Sequence, residues 1–455
     1  MAQSDESRPA AVLLAAGRGT RMRSRLPKVM HRVAGLPLIG HVLAGLAPLG
    51  CRAEIVVVAP DMPEVAAAVA PRPTAIQTEQ RGTGHAVAAA LPALGNTAGD
   101  MLVLYGDTPF IRTETLLRML ERRRASDNPA VVVLGFRPEH PAEYGRLIVD
   151  GAGHLERIVE FRDASAMERT IDLCNSGVMA IDGSQLRSLI DRLDDRNAKQ
   201  EFYLTDIVAI ARKDGAACAV VEAAEDELLG INSRADLAVA EAVMQTKLRA
   251  AAMANGATLI DPSSVFFAWD TRIGQDVVIG PNVVFGPGVS VADGASIGAF
   301  CHIEGATIDS GCSIGPFARL RAGSKIGRNA KIGNFVEVKN SRFGEGAKAN
   351  HLSYVGDTDV GARANIGAGT ITANYDGFDK HRTRIGEGVS IGSNTVLRAP
   401  VEIGAGAIVG AGSVVTRNVP ADALVVARGQ ETIKDGWATE FRARKQRGRK
   451  DKKKE

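Results

Sequence analysis

The 455-residue sequence has few aromatic residues, few cysteines and no long apolar run, and each shortage argues against a class of protein. Aromatics make up 4% of the chain, too few to predict a base-stacking surface for nucleic acid. The five cysteines include no C-x-x-C pair, so neither a zinc site nor a disulfide framework is predicted. The sequence has no stretch of about twenty apolar residues, so no membrane span is predicted. The start, MAQSDESRPA, lacks the basic and apolar regions of a secretory signal. We therefore expect a cytoplasmic protein, since free thiols fit a reducing compartment.

Charge is distributed unevenly along the chain. The formal net charge is +3, yet residues 441–455 hold nine Lys/Arg and two Asp/Glu. Removing this +7 leaves −4 on the rest, so the body of the protein is mildly acidic. The basic end is interpreted either as a solvated, disordered tail or as a contact for an anionic surface. We favour the disordered tail, over residues 438–455, because a run of like charge is a weak signal.

The first half alternates between short apolar runs and longer stretches of helical pattern. Four runs predict buried strands: Ala11–Ala16, Ile55–Ala59, Met101–Tyr105 and Ala130–Phe136. Helix-like segments such as Thr113–Ala125 lie between them. This alternation predicts a Rossmann-like α/β domain with a mostly parallel sheet over residues 1–236. The alanine-rich residues 237–257 predict a linker helix.

Beyond the linker, aliphatic residues recur at every sixth position. Three registers hold this period: Ile273, Ile279, Phe285, Val291, Ile297 and Ile303; Ile308, Ile314, Leu320, Ile326, Ile332 and Val338; and Ile385, Ile391, Leu397, Ile403, Val409 and Val415. Hexapeptide periodicity is the signature of a parallel β-helix. We therefore predict a left-handed β-helix over residues 258–437.

Two stretches depart from the six-residue period. Asn340–Ile366 has a loosened register, and Thr372–His381 reads as a looped-out insertion that carries Lys380. Polar residues that interrupt a solenoid form either loops or binding sites. Their clustering predicts a site.

A glycine-rich turn follows the first predicted strand. Ala15-Ala16-Gly17-Arg18-Gly19-Thr20 is succeeded by Arg21 and Lys28. Backbone N–H groups in such a turn can hold phosphates, and the two basic side chains suit a polyphosphate. The alternative is a solvated basic loop. The third glycine of a dinucleotide fingerprint and a Walker Lys-Ser/Thr are both absent.

A series of short motifs carries a family resemblance. They are L-A-A-G-x-G-T-R-M with L-P-K over residues 14–28, Gln77–Ala86, Tyr105–Asp107, Tyr144–Arg146, Ile158–Glu160, Asn175–Gly177 and Gly230–Asn232. These strongly resemble the sugar-nucleotide pyrophosphorylases. With the β-helix added, residues 10–437 resemble the bifunctional bacterial N-acetylglucosamine-1-phosphate uridylyltransferases/glucosamine-1-phosphate acetyltransferases.

The resemblance implies a uridylyl-transfer site in the first half, with Arg21 and Lys28 as catalytic groups that bind UTP phosphates. The further residues implied are Leu14, Ala15, Ala16, Gly17, Gln77, Gly82 and Thr83 for the nucleotide, with Tyr105 and Gly106 nearby, Gly145, Glu160 and Asn175 for N-acetylglucosamine, and Asp107 and Asn232 for Mg²⁺. Asp107 follows a predicted strand at the sheet's carboxyl edge, where ligands bind in open α/β folds.

The second half resembles the acetyltransferase part of the same family. Acetylating an amine requires removal of its proton, for which histidine is suited near neutral pH. The resemblance implies His351 as the general base and Glu337 as the group that orients it. The other residues implied are Arg321 and Lys339 for the sugar phosphate, Tyr354, Asn365, Asn374 and Tyr375 for the pocket, and Ala368, Asn374, Tyr375, Ser393, Ala411 and Arg428 for acetyl-CoA.

We therefore predict a bifunctional enzyme that uses acetyl-CoA, glucosamine-1-phosphate, UTP and N-acetylglucosamine-1-phosphate to make UDP-N-acetylglucosamine for peptidoglycan and lipopolysaccharide. A homotrimer is expected, because a thin triangular prism cannot enclose both a sugar phosphate and CoA alone. Two alternatives stay open: a single-activity nucleotidyltransferase with a structural β-helix, and a structural protein on an inactive enzyme scaffold.

Overall fold

The computed structural model describes residues 8–95, 97–141 and 143–451, with side chains described up to residue 447. Two compact units divide the chain: the first runs to Ala250 and includes Phe267–Trp269, and the second comprises the other residues from Ala251 onward. Within the described residues, no helix is both long and apolar enough to cross a bilayer.

The strands of the first unit are β1 Ala10–Leu14, β2 Arg32–Val33, β3 Leu36–Pro37, β4 Ala53–Val58, β5 Thr74–Ile76, β6 Asp100–Tyr105, β7 Val131–Phe136, β8 Arg146–Val149, β9 Leu155–Val159, β10 Cys174–Asp182 and β11 Cys218–Glu222. Nine of them form a mixed sheet with order β11-β7-β10-β6-β1-β4-β5, to which β8 and β9 are added beside β10. Strands β2 and β3 form a separate hairpin. Neighbours in the main path are parallel except around β10, which runs antiparallel to both β6 and β7.

Helices cover this sheet and account for the continuous apolar character of its central strands. They are α1 Leu38–Leu46, α2 Pro63–Val69, α3 Thr83–Leu94, α4 Thr113–Arg123, α5 Gly183–Ile190 and α6 Asp206–Lys213. Helix α7, Arg234–Ala254, follows them in the chain, and its Ala240 packs in a separate apolar cluster with Val33 and Leu38. Strand β7 is buried along its whole length, as expected for a strand covered on both faces. The predicted α/β fold is confirmed. The predicted linker helix corresponds to α7, which begins three residues earlier than expected.

The register of the sheet sets where a ligand can bind. Leu14, the last residue of β1, pairs with Tyr105, the last residue of β6. The segments that leave these two strands therefore start side by side at the carboxyl edge. Gly106 donates its backbone N–H to the Leu14 carbonyl at 3.0 Å, which continues the pairing one residue beyond the strands.

The second unit is a three-faced parallel β-helix, so the predicted left-handed β-helix fold is confirmed. The first face contains Thr258–Leu259, Val278–Ile279, Ser296–Ile297, Ser313–Ile314, Lys331–Asn334, Lys348–His351, Asn365–Ile366, Ser390–Ile391, Ile408–Val409 and Leu424–Val425. The second contains Val284–Phe285, His302–Ile303, Arg319–Leu320, Glu337–Lys339, Tyr354–Gly356, Ile371–Ala373, Val396–Arg398 and Val414–Val415. The third contains Arg272–Ile273, Ser290–Val291, Ala306–Ile308, Ser324–Ile326, Arg342–Phe343, Thr358–Val360, Thr383–Ile385 and Val401–Ile403.

The six-residue period arises because each coil places one aliphatic side chain inside the prism per face. Ile279, Ile297 and Ile314 stack in adjacent coils and are at most 1% exposed. The loosened register expected at Asn340–Ile366 is present as a change in spacing, although the coils continue through the segment. Some corners are one residue shorter, so Phe343 follows Val338 after five residues and still points inward.

The insertion and the C-terminal segment complete the unit. Residues 374–382 leave the prism between the second and third faces, with Tyr375 and Lys380 paired as an antiparallel bridge. Residues Trp437–Asp451 form helix α8, where the sequence suggested a disordered tail. Six of its fifteen residues are Arg or Lys, which have high intrinsic helix propensity, and charge alone does not prevent helix formation. Residues 452–455 lie outside the described part of the chain.

Candidate functional site

A cavity of about 260 Å³ opens at the carboxyl edge of the first unit's sheet, where β1, β5 and β6 end. It is lined by ten residues that the sequence singled out: Leu14, Ala15, Ala16, Gly17, Lys28, Gln77, Gly82, Thr83, Tyr105 and Asp107. Four further lining residues were not predicted: Val29, Gln80, Ala86 and Glu201. Gln80 lies inside a motif that was noted, and its amide donates to the Ala16 carbonyl, so it holds the glycine-rich turn in place.

Glycine is required at the start of α3, on the cavity wall. Gly82 has φ of +103°, and a Cβ there would lie 2.6 Å from the carbonyl oxygen of Phe202. The Gly82 carbonyl accepts a hydrogen bond from Gln77 Nε2 at 3.1 Å. This bond leaves the Gln77 carbonyl oxygen as an acceptor on a side chain that is only 4% exposed.

The predicted phosphate and metal ligands converge on one point. The Lys28 ammonium contacts Asp107 as an ion pair and donates to Asn232 Oδ1 at 3.1 Å. Arg21 donates to the same Asn232 oxygen at 3.0 Å. The Asp107 carbonyl accepts the Ile231 N–H at 3.1 Å, which places Asn232 beside the carboxylate. Gly19 permits this arrangement, because a Cβ there would lie 2.6 Å from Lys28 Cβ.

This donor set fits a magnesium ion. A carboxylate and an amide oxygen lie around one cationic centre, and Mg²⁺ takes hard oxygen ligands, with one or two protein groups completed by water and phosphate. Among the described residues, no group of three or more His, Cys, Asp or Glu forms a fuller metal site. An ion here would therefore depend on substrate phosphates for much of its coordination.

The residues expected to bind the sugar form a second group that adjoins the cavity through Tyr105. The Asn175 N–H donates to the Gly145 carbonyl at 2.9 Å, and Glu160 accepts from Thr205 at 3.4 Å. Burial raises the pKa of the Glu160 carboxyl above its usual value. The Tyr105 phenol bonds Thr83, and its pKa is raised by burial and by the negative charge of Glu160.

In the second unit, five predicted acetyl-CoA and base residues form a column along one edge of the prism. His351, Ala368, Ser393, Ala411 and Arg428 lie at the corner between the first and second faces in successive coils. We call this the His351 edge. The column is also linked internally, since Arg428 donates to the Ala411 carbonyl at 3.2 Å.

His351 is oriented by a residue of the preceding coil. Its Nδ1 lies 2.8 Å from Asn334 Oδ1, and the two residues are paired in register. An amide oxygen only accepts, so Nδ1 carries the hydrogen and Nε2 keeps its lone pair for a substrate proton. The proposed orienting role of Glu337 was wrong: its carboxylate accepts instead from Arg321 at 2.9 Å. Asn334 belongs to a quoted motif but was given no role.

The opposite edge of the second face is basic. Arg321, Lys339 and Asn374 directly follow or end strands of that face, at its corner with the third face. We call this the Lys339 edge. Lys380 of the insertion lies beside Lys339, and this contact lowers the pKa of the Lys380 ammonium below its usual value. Two neighbouring ammonium groups make this edge a suitable place for an anion.

The remaining predicted residues are spread around these edges. Tyr354 lies on the second face with its hydroxyl over Gly356, where a Cβ would be 2.4 Å away, so it extends toward the Lys339 edge. Asn374 is 8% exposed, and its amide donates to Asp357. Tyr375 is 60% exposed and donates to the Gly377 carbonyl at 2.6 Å. Asn365 faces outward on the first face, apart from Tyr354.

Taken together, an α/β unit with a basic cavity at its carboxyl edge and a hexapeptide prism with an oriented histidine define a two-part transferase. Comparison with known proteins agrees with both parts. Residues 11–172 match the MobA-like NTP transferase domain, and residues 270–305, 305–340 and 382–417 match the bacterial transferase hexapeptide (six repeats).

Full-length relatives identify the family. The chain is 59% identical to the bifunctional protein GlmU of Paramagnetospirillum magneticum, with 96% of this chain and 97% of the relative covered. It is 58% identical to the bifunctional protein GlmU of Rhodospirillum rubrum, with 97% and 99% covered. It is 54% identical to that of Sphingopyxis alaskensis, with 95% and 96% covered. The chain belongs to the family of bifunctional GlmU proteins.

Proposed function

We propose that the chain makes UDP-N-acetylglucosamine in two reactions. The second unit transfers an acetyl group from acetyl-CoA to glucosamine-1-phosphate, and the first unit then joins the product to UMP from UTP, releasing pyrophosphate. The observation that carries this function is the presence, in one chain, of the Lys28–Asp107–Asn232 cluster and of an exposed histidine with a free Nε2. The products supply peptidoglycan and lipopolysaccharide synthesis.

The uridylyl transfer needs no general base, because the sugar phosphate is already an anionic nucleophile. Its oxygen attacks the α-phosphorus of UTP, a new P–O bond forms, and the bond to pyrophosphate breaks. Arg21 and Lys28 neutralise the phosphate charge, and the turn at Ala15–Gly17 holds the nucleotide through its backbone. Asp107 and Asn232 would hold Mg²⁺, which would supply further charge neutralisation when bound. When UTP binds, Lys28 would leave its contacts with Asp107 and Asn232 and contact the phosphates instead.

Gln77 supports a choice of uracil over cytosine. Its amide nitrogen is committed to the Gly82 carbonyl, so its carbonyl oxygen is the group available to the base. Uracil presents an N–H donor at its N3 position, whereas cytosine presents an acceptor there. The acceptor on Gln77 therefore pairs with uracil and repels cytosine. Gly145, Glu160 and Asn175 hold the N-acetylglucosamine beside Tyr105.

In the acetyl transfer, His351 Nε2 takes a proton from the sugar amine. The amine nitrogen attacks the thioester carbonyl, the C–N bond forms, and the C–S bond then breaks to release CoA. Arg321, Lys339 and Lys380 bind the sugar phosphate, and Tyr354, Asn365, Asn374 and Tyr375 shape the pocket. Ala368, Ser393, Ala411 and Arg428 hold acetyl-CoA along the His351 edge.

The separation of the two edges supports a homotrimer. The His351 edge and the Lys339 edge bound opposite sides of the second face, whose outward residues Ile371 and Val414 are 46% and 53% exposed. A neighbouring prism that brings its Lys339 edge against the His351 edge would enclose both substrates, and cyclic closure repeats the site three times. The exposed insertion, with Phe378 91% exposed, can reach such a neighbour.

Two assays on the same purified chain test the function. Pyrophosphate release from UTP plus N-acetylglucosamine-1-phosphate and CoA release from acetyl-CoA plus glucosamine-1-phosphate are both expected. Pyrophosphate release alone would favour the single-activity alternative, and neither activity would favour an inactive scaffold. The oriented His351 argues against both alternatives.

Subunit mixing tests the shared site. Inactive His351→Ala and Lys339→Ala chains, mixed one to one under conditions of exchange, should regain about a quarter of wild-type acetyl transfer, since a quarter of edge pairs are intact. His351→Ala mixed with Arg428→Ala is the control, because these residues share one edge of one chain. Continued inactivity of the first mixture after proven exchange would contradict a site between subunits.

A further inference from the structure

The base of the insertion holds a buried carboxylate that none of the roles above uses. Asp357 is 7% exposed and follows the second-face strand Tyr354–Gly356. Its Oδ1 accepts from Asn340 Nδ2 at 2.6 Å, and its Oδ2 accepts from Asn374 Nδ2. One carboxylate therefore receives two side-chain amides, on the same edge as Lys339.

Asp357 also contacts both ends of the insertion, Asn374 through its side chain and Thr383 through its backbone. Its N–H donates to the Lys339 carbonyl at 3.0 Å, and its carbonyl accepts the Thr383 N–H at 3.1 Å. Asn374 begins the insertion and Thr383 begins the strand after it. Asp357 has φ of +49°, in the left-handed region that Asp and Asn tolerate better than most residues. An asparagine can therefore replace it without backbone strain.

The chemistry of the carboxylate fixes the direction of the Asn374 amide. An ionised carboxylate only accepts hydrogen bonds, so Asn374 must turn its nitrogen toward Asp357. A flipped amide would place one oxygen against another in a buried position, which is unfavourable. The Asn374 carbonyl oxygen is consequently directed away from Asp357.

We propose that Asp357 is a positioning residue for acetyl transfer, which holds the Asn374 carbonyl oxygen ready to accept an N–H of the sugar amine. An amine held in this way has its lone pair aimed at the thioester and another hydrogen left for His351. This inference rests on the proposed acetyl transfer. The role of Asp357 is to set the direction of the Asn374 amide. Substitutions can reverse that direction and then restore it.

The test compares Asp357→Asn with the exchanged pair Asp357→Asn plus Asn374→Asp. In the single variant, the amides of Asn340 and Asn374 both meet a new amide at position 357. The nitrogen of that amide faces the Asn374 nitrogen, so the Asn374 side chain is free to flip. In the exchanged pair, the new amide at 357 still accepts from Asn340 and donates to the new carboxylate at 374. That carboxylate again presents an oxygen outward, and the number of negative charges is unchanged.

We expect Asp357→Asn to lower kcat of acetyl transfer about tenfold, with KM for acetyl-CoA changed less than about threefold, because one buried polar pairing is lost. The exchanged pair should recover at least half of the lost kcat. Uridylyl transfer by the same chains serves as the internal control, and thermal unfolding shows whether the variants fold.

Asp359→Asn is the matched control for loss of charge. Asp359 lies two residues away and forms a two-bonded ion pair with Arg382 of the insertion, at 2.7 Å for each bond, without contacting Asn374. Its substitution should change kcat less than twofold.

A kcat for Asp357→Asn within twofold of wild type would overturn the inference, as would an exchanged pair no more active than the single variant. An equal loss in Asp359→Asn would assign the effect to charge and also overturn it. Should Asp357→Asn unfold, the exchanged pair decides alone, since it restores the contact. A wild-type chain without acetyl transfer would overturn the proposed function itself, which distinguishes the two failures.

Discussion

The bond between Asn334 and His351 gives a prediction that separates orientation of the base from the base itself. Asn334→Ala removes the acceptor 2.8 Å from His351 Nδ1 and leaves the imidazole in place. A neutral hydrogen bond of this kind contributes about 1 kcal/mol, which corresponds to about a fivefold change in rate. Loss of the preferred tautomer adds to this, since only the form with a free Nε2 accepts the proton. We expect kcat of acetyl transfer to fall five- to tenfold, roughly 1 to 1.4 kcal/mol.

The assay is CoA release under saturating acetyl-CoA and glucosamine-1-phosphate, with pyrophosphate release measured on the same preparation. Asn334→Asp keeps an acceptor oxygen at the same position and should retain more activity than Asn334→Ala. Glu337→Gln provides the contrast, because Glu337 contacts Arg321 and should affect KM for the sugar phosphate rather than kcat. The reasoning is refuted if Asn334→Ala stays within twofold of wild type while Glu337→Gln lowers kcat.

Four further predictions follow from the two sites. His351→Ala should abolish CoA release and leave pyrophosphate release within about twofold of wild type, since the two sites lie in different units; comparable loss of both in a folded variant would contradict this. Asp107→Ala should remove pyrophosphate release, and EDTA should inhibit only that reaction, since His351 needs no metal; acetyl transfer lost on chelation and restored by Mg²⁺ would argue against it. Gly82→Ala should lower uridylyl transfer at least about tenfold, because its Cβ would lie 2.6 Å from the Phe202 carbonyl at a φ of +103°; a KM for UTP unchanged from wild type would count against the cavity. Burial raises the pKa of the Asp206 carboxyl from 3.8 to about 6, so ionisation of Asp206 lowers the stability of the first unit as pH rises through about 6. Asp206→Asn should therefore raise the melting temperature of that unit at pH 7.5 and leave it unchanged near pH 3.5. The reverse pattern would be inconsistent with this.

The sheet of the first unit was predictable because its central strands are buried on both faces. Ala10–Leu14 and Val131–Phe136 are continuous apolar runs for that reason, and no partner needs to be known to recognise them. The reversal of β10 was not predictable, since an antiparallel strand inside a covered sheet has the same composition. The convergence of Lys28 on Asp107 and Asn232 also depends on contacts that are 79 and 204 residues apart.

In the second unit, the six-residue period was enough to predict the prism. Contacts between coils could not be predicted, because they depend on the number of residues in each coil. Asn334 contacts His351 because the coil between them has 17 residues. One of its corners is a residue shorter than the six-residue repeat requires. Glu337 was expected to be the partner because the family resemblance implied it. Asp357 carries no motif and would need knowledge of the 374–382 insertion to be noticed. The roles carried over by resemblance are predictions that the assays above address.

The residues along the His351 edge lie at fixed spacings, because each belongs to a successive coil of the prism. Adjacent parallel strands are about 4.8 Å apart, so the four coils from His351 to Arg428 span roughly 19 Å. A carrier that reaches Arg428 with its charged end has only one length at which its acyl group meets the base. In the proposed acetyl-CoA site, the number of coils would thus set the length of acyl carrier that fits, and adding one complete coil between the two residues would lengthen that requirement by about 4.8 Å.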